Sequence, residues 1–377
     1  MSDTSTDVNP DRYLSPLLQR PGAAELQDDT AVDTAGVPWH YGDPLGEQRA
    51  IASTTVVVDR SHRVVLKVTG DDAATFLNTV LSQKLDDVED GFAAGALDLD
   101  IQGRILHHAD VVRVGETFYL DVPSDQADSF QDFLSKMIFW SAVELERTEL
   151  GLLTLLGDAV EIPADLAAEA AFVRRVDWQG AARRDLALER GALNEGVDTL
   201  LAAGASLGGL MAYTAERVRA LIPEKAADLD AKSIPHEVPE FIGRGERHGA
   251  VHLTKGCYRG QETVARVENL GRSPRLMVLL HLDGSAPTTP VAGDTLSFNG
   301  RTVGRLGTVV HDCDFGPIAL GVVKRSALDA GELTITPADD AERAPVAASV
   351  DPDSIPTDEG DKAGREAIKR LRSGGEE

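Results

Sequence analysis

The stretch KGCYRGQETVAR (255–266) sets a cysteine, Cys257, among lysine, glycine, tyrosine, arginine and glutamine, where a buried structural cysteine would have apolar neighbours. Lys255 and Arg259 lie within two positions of the thiol. Nearby positive charge favours the thiolate, which is the form that acts as nucleophile, metal ligand or redox group. Gly256 and Gly260 permit backbone conformations and close ligand approach that side chains would block. On residue types alone the segment reads either as an activated thiol in a basic loop or as an incidental free cysteine packing as a small hydrophobe. The other cysteine, Cys313 in HDCDFG, is flanked by two acids that disfavour its thiolate, so it reads as inert.

His107 and His108 invite a metal reading, because paired histidines ligate zinc or iron. Adjacent residues on a strand point to opposite faces, however, so one is expected at a ligand cavity and the other in the core. No metal site is expected. His236 in IPHE, beside Glu237, reads as a turn residue or a loop contact. The glycine runs GRLGTV and GGLMAY lack the strand-to-helix context of a dinucleotide or phosphate-binding loop.

The charge balance narrows the ligand class. The chain carries a formal −25 at pH 7, which repels a nucleic acid backbone, so no direct nucleic-acid binding is expected. Residues 1–35 hold seven acids against two basic residues, and residues 337–377 hold eleven against six. Residues 255–275 reverse the sign: Lys255, Arg259, Arg266, Arg272 and Arg275 face only Glu262 and Glu268. A small anion would be drawn there. No apolar run approaches the roughly 20 residues that span a bilayer, and MSDTSTDVNPDRYLSP lacks a signal core. A cytoplasmic protein without membrane contact is expected. Two cysteines rule out a disulfide framework and a self-sufficient four-thiolate cluster.

The elements that position these residues alternate in type. RVVLKV (63–68) predicts a strand, and DDAATFLNTVLSQKL (71–85) a helix with Phe76, Leu77, Val80 and Leu81 on one face. FAAGALDL, RILHHADVVRV and TFYLDV predict three consecutive strands, SDQADSFQDFLSKMIF a helix, and VELERTE a closing strand. LLTLLG opens a second unit that includes PADLAAEAA and the helix TAERVRALIP, which ends at Pro223; residues 224–254 read as loop. From 275 short strands take over, with Asn299-Gly300 as a type I′ hairpin turn. The expected order is a disordered acidic tail (1–35), a first α+β lobe (36–150), a second α+β lobe carrying the cysteine motif (151–272), a β-barrel (273–340) and a disordered acidic tail (341–377). Within that last tail, EAIKRLR is expected to form at most a short helical turn.

KGCYRGQETVAR closely resembles the signature of the YgfZ family of folate-binding proteins, relatives of the T-protein of the glycine cleavage system, a tetrahydrofolate-dependent aminomethyltransferase. WHYGDPLGEQRA (39–50), VVDRSHR (57–63), VTGDDAATFLNTVLSQ, ERVRALIPE and DAKSIPHEV extend the resemblance over residues 36 to about 325. It implies an α+β cloverleaf of two ferredoxin-like units and a barrel, with tetrahydrofolate or a derivative at a central opening. It also implies a role in assembly or repair of iron–sulfur clusters, and through it in tRNA modification, with iron–sulfur enzymes or assembly factors as partners. Cys257 and Lys255 would then be the reactive pair. Gly256, Tyr258, Arg259, Gly260, Gln261, Glu262, Arg266, His107 and Arg219 would contact folate or hold the motif. The T-protein's Gly-Gly-x-x-Asp-Asp run corresponds to GRILHH, which puts His107 and His108 at the aspartate positions, and its folate-contacting glutamate falls near Arg219. Both departures argue against aminomethyl transfer. A folate-dependent methyl or aminomethyl transferase and a non-catalytic folate sensor or scaffold are the alternative readings.

Overall fold

The structure, a computed structural model, describes residues 13–26, 32–338 and 343–356. In chain order the strands are β1 (Val56–Asp59), β2 (Val64–Thr69), β3 (Ala93–Leu99), β4 (Ile105–Val114), β5 (Thr117–Val122), β6 (Glu144–Arg147), β7 (Leu150–Leu156), β8 (Phe172–Val176), β9 (Arg183–Glu189), β10 (Ser206–Gly208), β11 (Arg275–Leu282), β12 (Thr295–Phe298), β13 (Arg301–Asp312), β14 (Gly316–Lys324), β15 (Glu332–Thr336) and β16 (Val346–Val350). The α-helices are α1 (Pro44–Ala50), α2 (Ala73–Val80), α3 (Ser124–Met137), α4 (Ala164–Glu169), α5 (Leu193–Ala202), α6 (Leu210–Arg219), α7 (Lys225–Asp228) and α8 (Gln261–Leu270). None of these helices is long and apolar enough to cross a membrane.

Three sheets organise the chain. The first is antiparallel, in the order β3-β4-β5-β2-β6. One face takes α2 and α3, through Phe76, Leu77, Phe130 and Leu134 against Leu66, Val68, Val111 and Leu120. Alternation sends Val65 and Val112 to the opposite face, where they meet Leu150, Leu152, Phe172 and Ala187 of the second sheet. That sheet has the order β10-β1-β7-β9-β8 and covers its own far face with Leu166, Leu193, Val197 and Leu200. The third sheet is a closed six-stranded barrel, β11-β14-β13-β12-β15-β16. The fold is α+β, with Asn299 (φ 49°) and Gly300 (φ 72°) turning the β12–β13 hairpin as the sequence predicts.

Several expected boundaries move. β1 lies inside the range of the first lobe but pairs with β7 and β10 of the second sheet. Residues 13–26 and 32–35, expected to be disordered, are packed: Leu17 is buried in the second core, Ser15 donates to Asp59, and Tyr13 donates to Ser61. Strand β16, expected in the acidic tail, pairs with β11 and β15 and completes the barrel. It turns Val346 and Ala348 into the barrel core. The EAIKRLR segment lies outside the described residues.

Candidate functional site

Beside the apolar contacts between the first two sheets lies a cluster of buried charge. On β4, His108, Asp110 and Val112 share the inter-sheet face, and on β5 Asp121 does the same. Opposite them stand Arg174 of β8 and Arg183 and Asp185 of β9. Arg174 donates to Asp185 from Nε (3.0 Å) and Nη2 (2.7 Å) and pairs with Asp121 at 2.5 Å. Arg183 donates to Asp185 at 3.1 and 2.7 Å, and Arg63 to Asp121 at 2.6 Å. Arg60 approaches Asp185 at 3.7 Å. Four guanidinium groups thus surround three carboxylates, a surplus of positive charge in a buried place. Burial alone would raise the Asp185 carboxyl, but Arg183, Arg174 and Arg60 hold it well below the ordinary carboxylate range.

His108, Asp110, Arg174 and Arg183 of this layer line a cavity whose empty space, open solvent included, is about 680 Å³. Ala93–Gly95 of β3, His108 and Asp110 of β4, Arg174–Val176, Trp178 and Arg183 line one part. Glu240, Phe241 and Arg247–Ala250 close the other. Four arginines and three carboxylates stand in this lining, together with the aromatic rings of Trp178 and Phe241. Burial lowers the pKa of His108, against the opposing pull of Asp110. Its ring lies 4.7 Å from that of Phe241.

The cysteine motif does not line this cavity. Lys255 turns inward and donates to the carbonyls of Asn78 and Leu81, where α2 ends. Burial lowers its pKa to about 8. Tyr258 lies beneath it in the core formed with Leu97, Leu99, Phe241 and Ala250, and burial raises its phenol to about 12. Arg259 donates to the carbonyl of Leu99 and to Asp98, and it covers the ring of Phe133. Gln261 donates to the Lys255 carbonyl at 3.3 Å. Gly260 has φ 81° and sits against the Asp100–Gly103 turn. The motif is a clasp that fastens α8 to the β3–β4 hairpin and to the end of α2. Phe241 and Ala250 join it to the cavity wall through one shared core. The exposed members are Gly256, Cys257, Arg259, Glu262, Ala265 and Arg266.

Four expectations are corrected. The two cations expected to favour the Cys257 thiolate are both engaged elsewhere, Lys255 by backbone carbonyls and Arg259 by Asp98 and Leu99. Gly256 has open space around it and no positive φ, so only Gly260 needs to be glycine. His107 faces α3 rather than the cavity: its Nδ1 pairs with Asp98 at 2.8 Å and its Nε2 with Ser129 at 2.9 Å. Arg219 lies against the barrel, 3.7 Å from Asp312 and over the ring of Phe315. Gly256, Tyr258, Arg259, Gly260, Gln261, Glu262, Arg266, His107 and Arg219 are therefore all absent from the cavity lining. Cys313 fits its expected inertness, since burial and then Asp312 and Asp314 raise its pKa. His236 is a turn residue whose Nε2 pairs with Glu268 at 3.1 Å.

Sequence reasoning missed Asp110, Asp121, Arg174, Arg183 and Asp185. A signal for them existed: each is a charged residue in a strand, in phase with residues that face the other sheet. Phe241, Arg247 and Ala250 had none, because they stand in a segment without periodicity.

No family model matches the chain. It is 39% identical over 83 residues to the tRNA-modifying protein YgfZ of Photorhabdus laumondii, covering 22% of this chain and 25% of that protein. It is 28% identical over 266 residues to the human mitochondrial iron-sulfur cluster assembly factor IBA57, covering 64% and 71%. The solved structure of glycine cleavage system aminomethyltransferase T from Bartonella henselae superposes with a TM-score of 0.70 over 89% of this chain and 94% of that one, at 20% identity. The local match and the whole-chain fold agree: the chain is similar to YgfZ over part of its length and to IBA57 over most of it, and it has the fold of a glycine cleavage aminomethyltransferase.

Proposed function

We propose that this protein binds tetrahydrofolate or a derivative in the inter-sheet cavity and supports the assembly or repair of iron–sulfur clusters, and through them tRNA modification, with Cys257 as its reactive group. The observation that carries the reading is the cavity itself, a cleft with aromatic walls and more arginine than carboxylate. A folate offers a flat ring system for Trp178 and Phe241 and carboxylates for the exposed Arg175. When bound, tetrahydrofolate supplies a carrier for one-carbon units. The chain's own residues bind and orient it, while the clasp presents Cys257 at the surface, where the thiol can meet a partner. Iron–sulfur enzymes or assembly factors are the partners this reading names.

Calorimetric titration of the reduced protein with tetrahydrofolate tests the first half, and an absence of binding would remove it. Replacing Cys257 with alanine and measuring iron–sulfur enzyme activity in cells tests the second. Activity equal to wild type would reduce the protein to a folate sensor or scaffold.

One observation favours the transferase alternative. Positions 107 and 108 carry no carboxylate, yet Asp110, two residues on, brings one into the cavity. Turnover of an aminomethyl or methyl donor with tetrahydrofolate, abolished by Asp110→Asn, would establish that alternative.

A further inference from the structure

The three carboxylates of the inter-sheet layer are not equivalent. The side chains of Asp121 and Asp185 are 0% exposed and accept hydrogen bonds from arginines, whereas that of Asp110 is 21% exposed and opens on the cavity. Asp110 has three guanidinium neighbours: Arg183 at 3.5 Å, Arg174 at 3.7 Å and Arg63 at 3.9 Å, each nearest to Oδ2. None makes a hydrogen bond to it, and neither of its oxygens accepts one from any described residue. Burial by itself would raise the Asp110 carboxyl, but Arg174, Arg183, His108 and Arg63 pull it well below the ordinary carboxylate range. The result is a fixed anion with open acceptor sites. Carboxylates in such places bind N–H donors, and most strongly two adjacent ones.

We propose that Asp110 is the specificity-determining acceptor of the cavity, reading adjacent N–H donors on the edge of a flat, nitrogen-rich ring in a cavity that Trp178 and Phe241 help to line. The inference rests on the proposal that the cavity binds a folate, and it assigns the orientation: the aminopyrimidinone edge of the pterin points inward to Asp110, and the anionic end points out toward the exposed Arg175. Arg63, Arg174 and Arg183 are positioning residues. They keep Asp110 ionised without occupying its acceptor sites.

Equilibrium binding of three probes to the full chain tests it. Pterin presents the donor edge, lumazine replaces the 2-amino donor by a carbonyl, and p-aminobenzoylglutamate lacks the ring altogether. The wild type should bind pterin about ten- to a hundredfold more tightly than lumazine, the span of one charge-assisted hydrogen bond lost. In Asp110→Asn the affinity for pterin and for tetrahydrofolate should fall by the same factor. Affinity for p-aminobenzoylglutamate should hold or rise, because one negative charge has left the cavity. Equal binding of pterin and lumazine by the wild type overturns the role of Asp110 while leaving folate binding intact. That role also falls if Asp110→Asn loses pterin and p-aminobenzoylglutamate alike, which would mean that the cavity has collapsed. If the wild type binds neither tetrahydrofolate nor any of the probes, the folate reading itself fails. The pterin–lumazine comparison needs no substitution, so it stands even if the variant misfolds.

Discussion

Gly260→Ala should loosen the clasp at a cost that can be read from geometry. Gly260 caps the start of α8 in the left-handed region, at φ 81°. An alanine there carries about 1–2 kcal/mol of conformational strain. Its Cβ would lie 2.6 Å from the Asp100 carbonyl oxygen and 2.9 Å from the Gly103 Cα, both backbone atoms. That carbonyl already accepts the Gly103 amide at 3.0 Å, and the Asp100 side chain accepts the amides of Gln102 and Arg104 at 2.8 Å, so the turn cannot give way without losing hydrogen bonds. Overpacking of this kind costs about 1–3 kcal/mol, so a total of about 2–5 kcal/mol is expected. Urea denaturation measures it. Gly256→Ala is the matched control: a few residues earlier, it has nothing within 4 Å of the new Cβ and no positive φ, and it should stay within about 0.5 kcal/mol of wild type. Equal costs for the two substitutions would contradict this account of the clasp, as would a Gly260→Ala cost below about 0.5 kcal/mol.

Other outcomes follow from the same geometry. Burial lowers Lys255 to about 8, so between that pH and the ordinary lysine range the unfolded chain holds a proton that the folded one has released, and stability from this group rises with pH. The wild type should gain about 2 kcal/mol relative to Lys255→Met between about pH 7.5 and 9.5 in paired urea titrations; no difference in slope refutes the buried amine. Asp185 accepts five hydrogen bonds, from Thr154, Arg174 and Arg183, and Asp185→Asn should cost about 3–5 kcal/mol by leaving buried guanidinium charge uncompensated. Because Asp185 is held well below the ordinary carboxylate range, its contribution is present above about pH 4 and is lost as pH falls further, so the variant should show a flatter acid-unfolding profile than wild type. Cys257→Ala should leave the melting temperature within about 2 °C of wild type, since the thiol is exposed; a larger drop would show that the cysteine packs.

Whatever depended on local periodicity could be read from the chain. Strands β2 to β6 and helices α2 and α3 were legible because their apolar residues repeat at two or near four, and Asn299-Gly300 because its backbone demands are local. β16 escaped because VAASV is short, small and embedded in acids and prolines, and one of its two partners, β11, lies far back in the chain. β1 falls in the wrong unit because nothing in VVVD says which sheet will receive it. The motif was legible as special, but its chemistry was misplaced. Lys255 and Arg259 look like partners of the thiol in one dimension, and only the approach of α2 and β3 gives them other partners. Asp110 stood in plain view beside the two histidines, and what separates it from them is strand phase combined with arginines from another sheet.

The position of β1 also sets an order of events during synthesis. Its four residues are all buried, yet its first partner, β7, begins about 90 residues later and its second, β10, about 55 residues after that. At roughly 5–20 residues per second, a nascent chain carries this uncovered strand for about 5–30 s, while the whole β2–β6 unit emerges and can fold. The second sheet, and with it the arginine-lined cavity, can close only around a first unit already made. Formation of the cavity is thus a late event for the growing chain, and Val56–Asp59 waits for its partners through that interval.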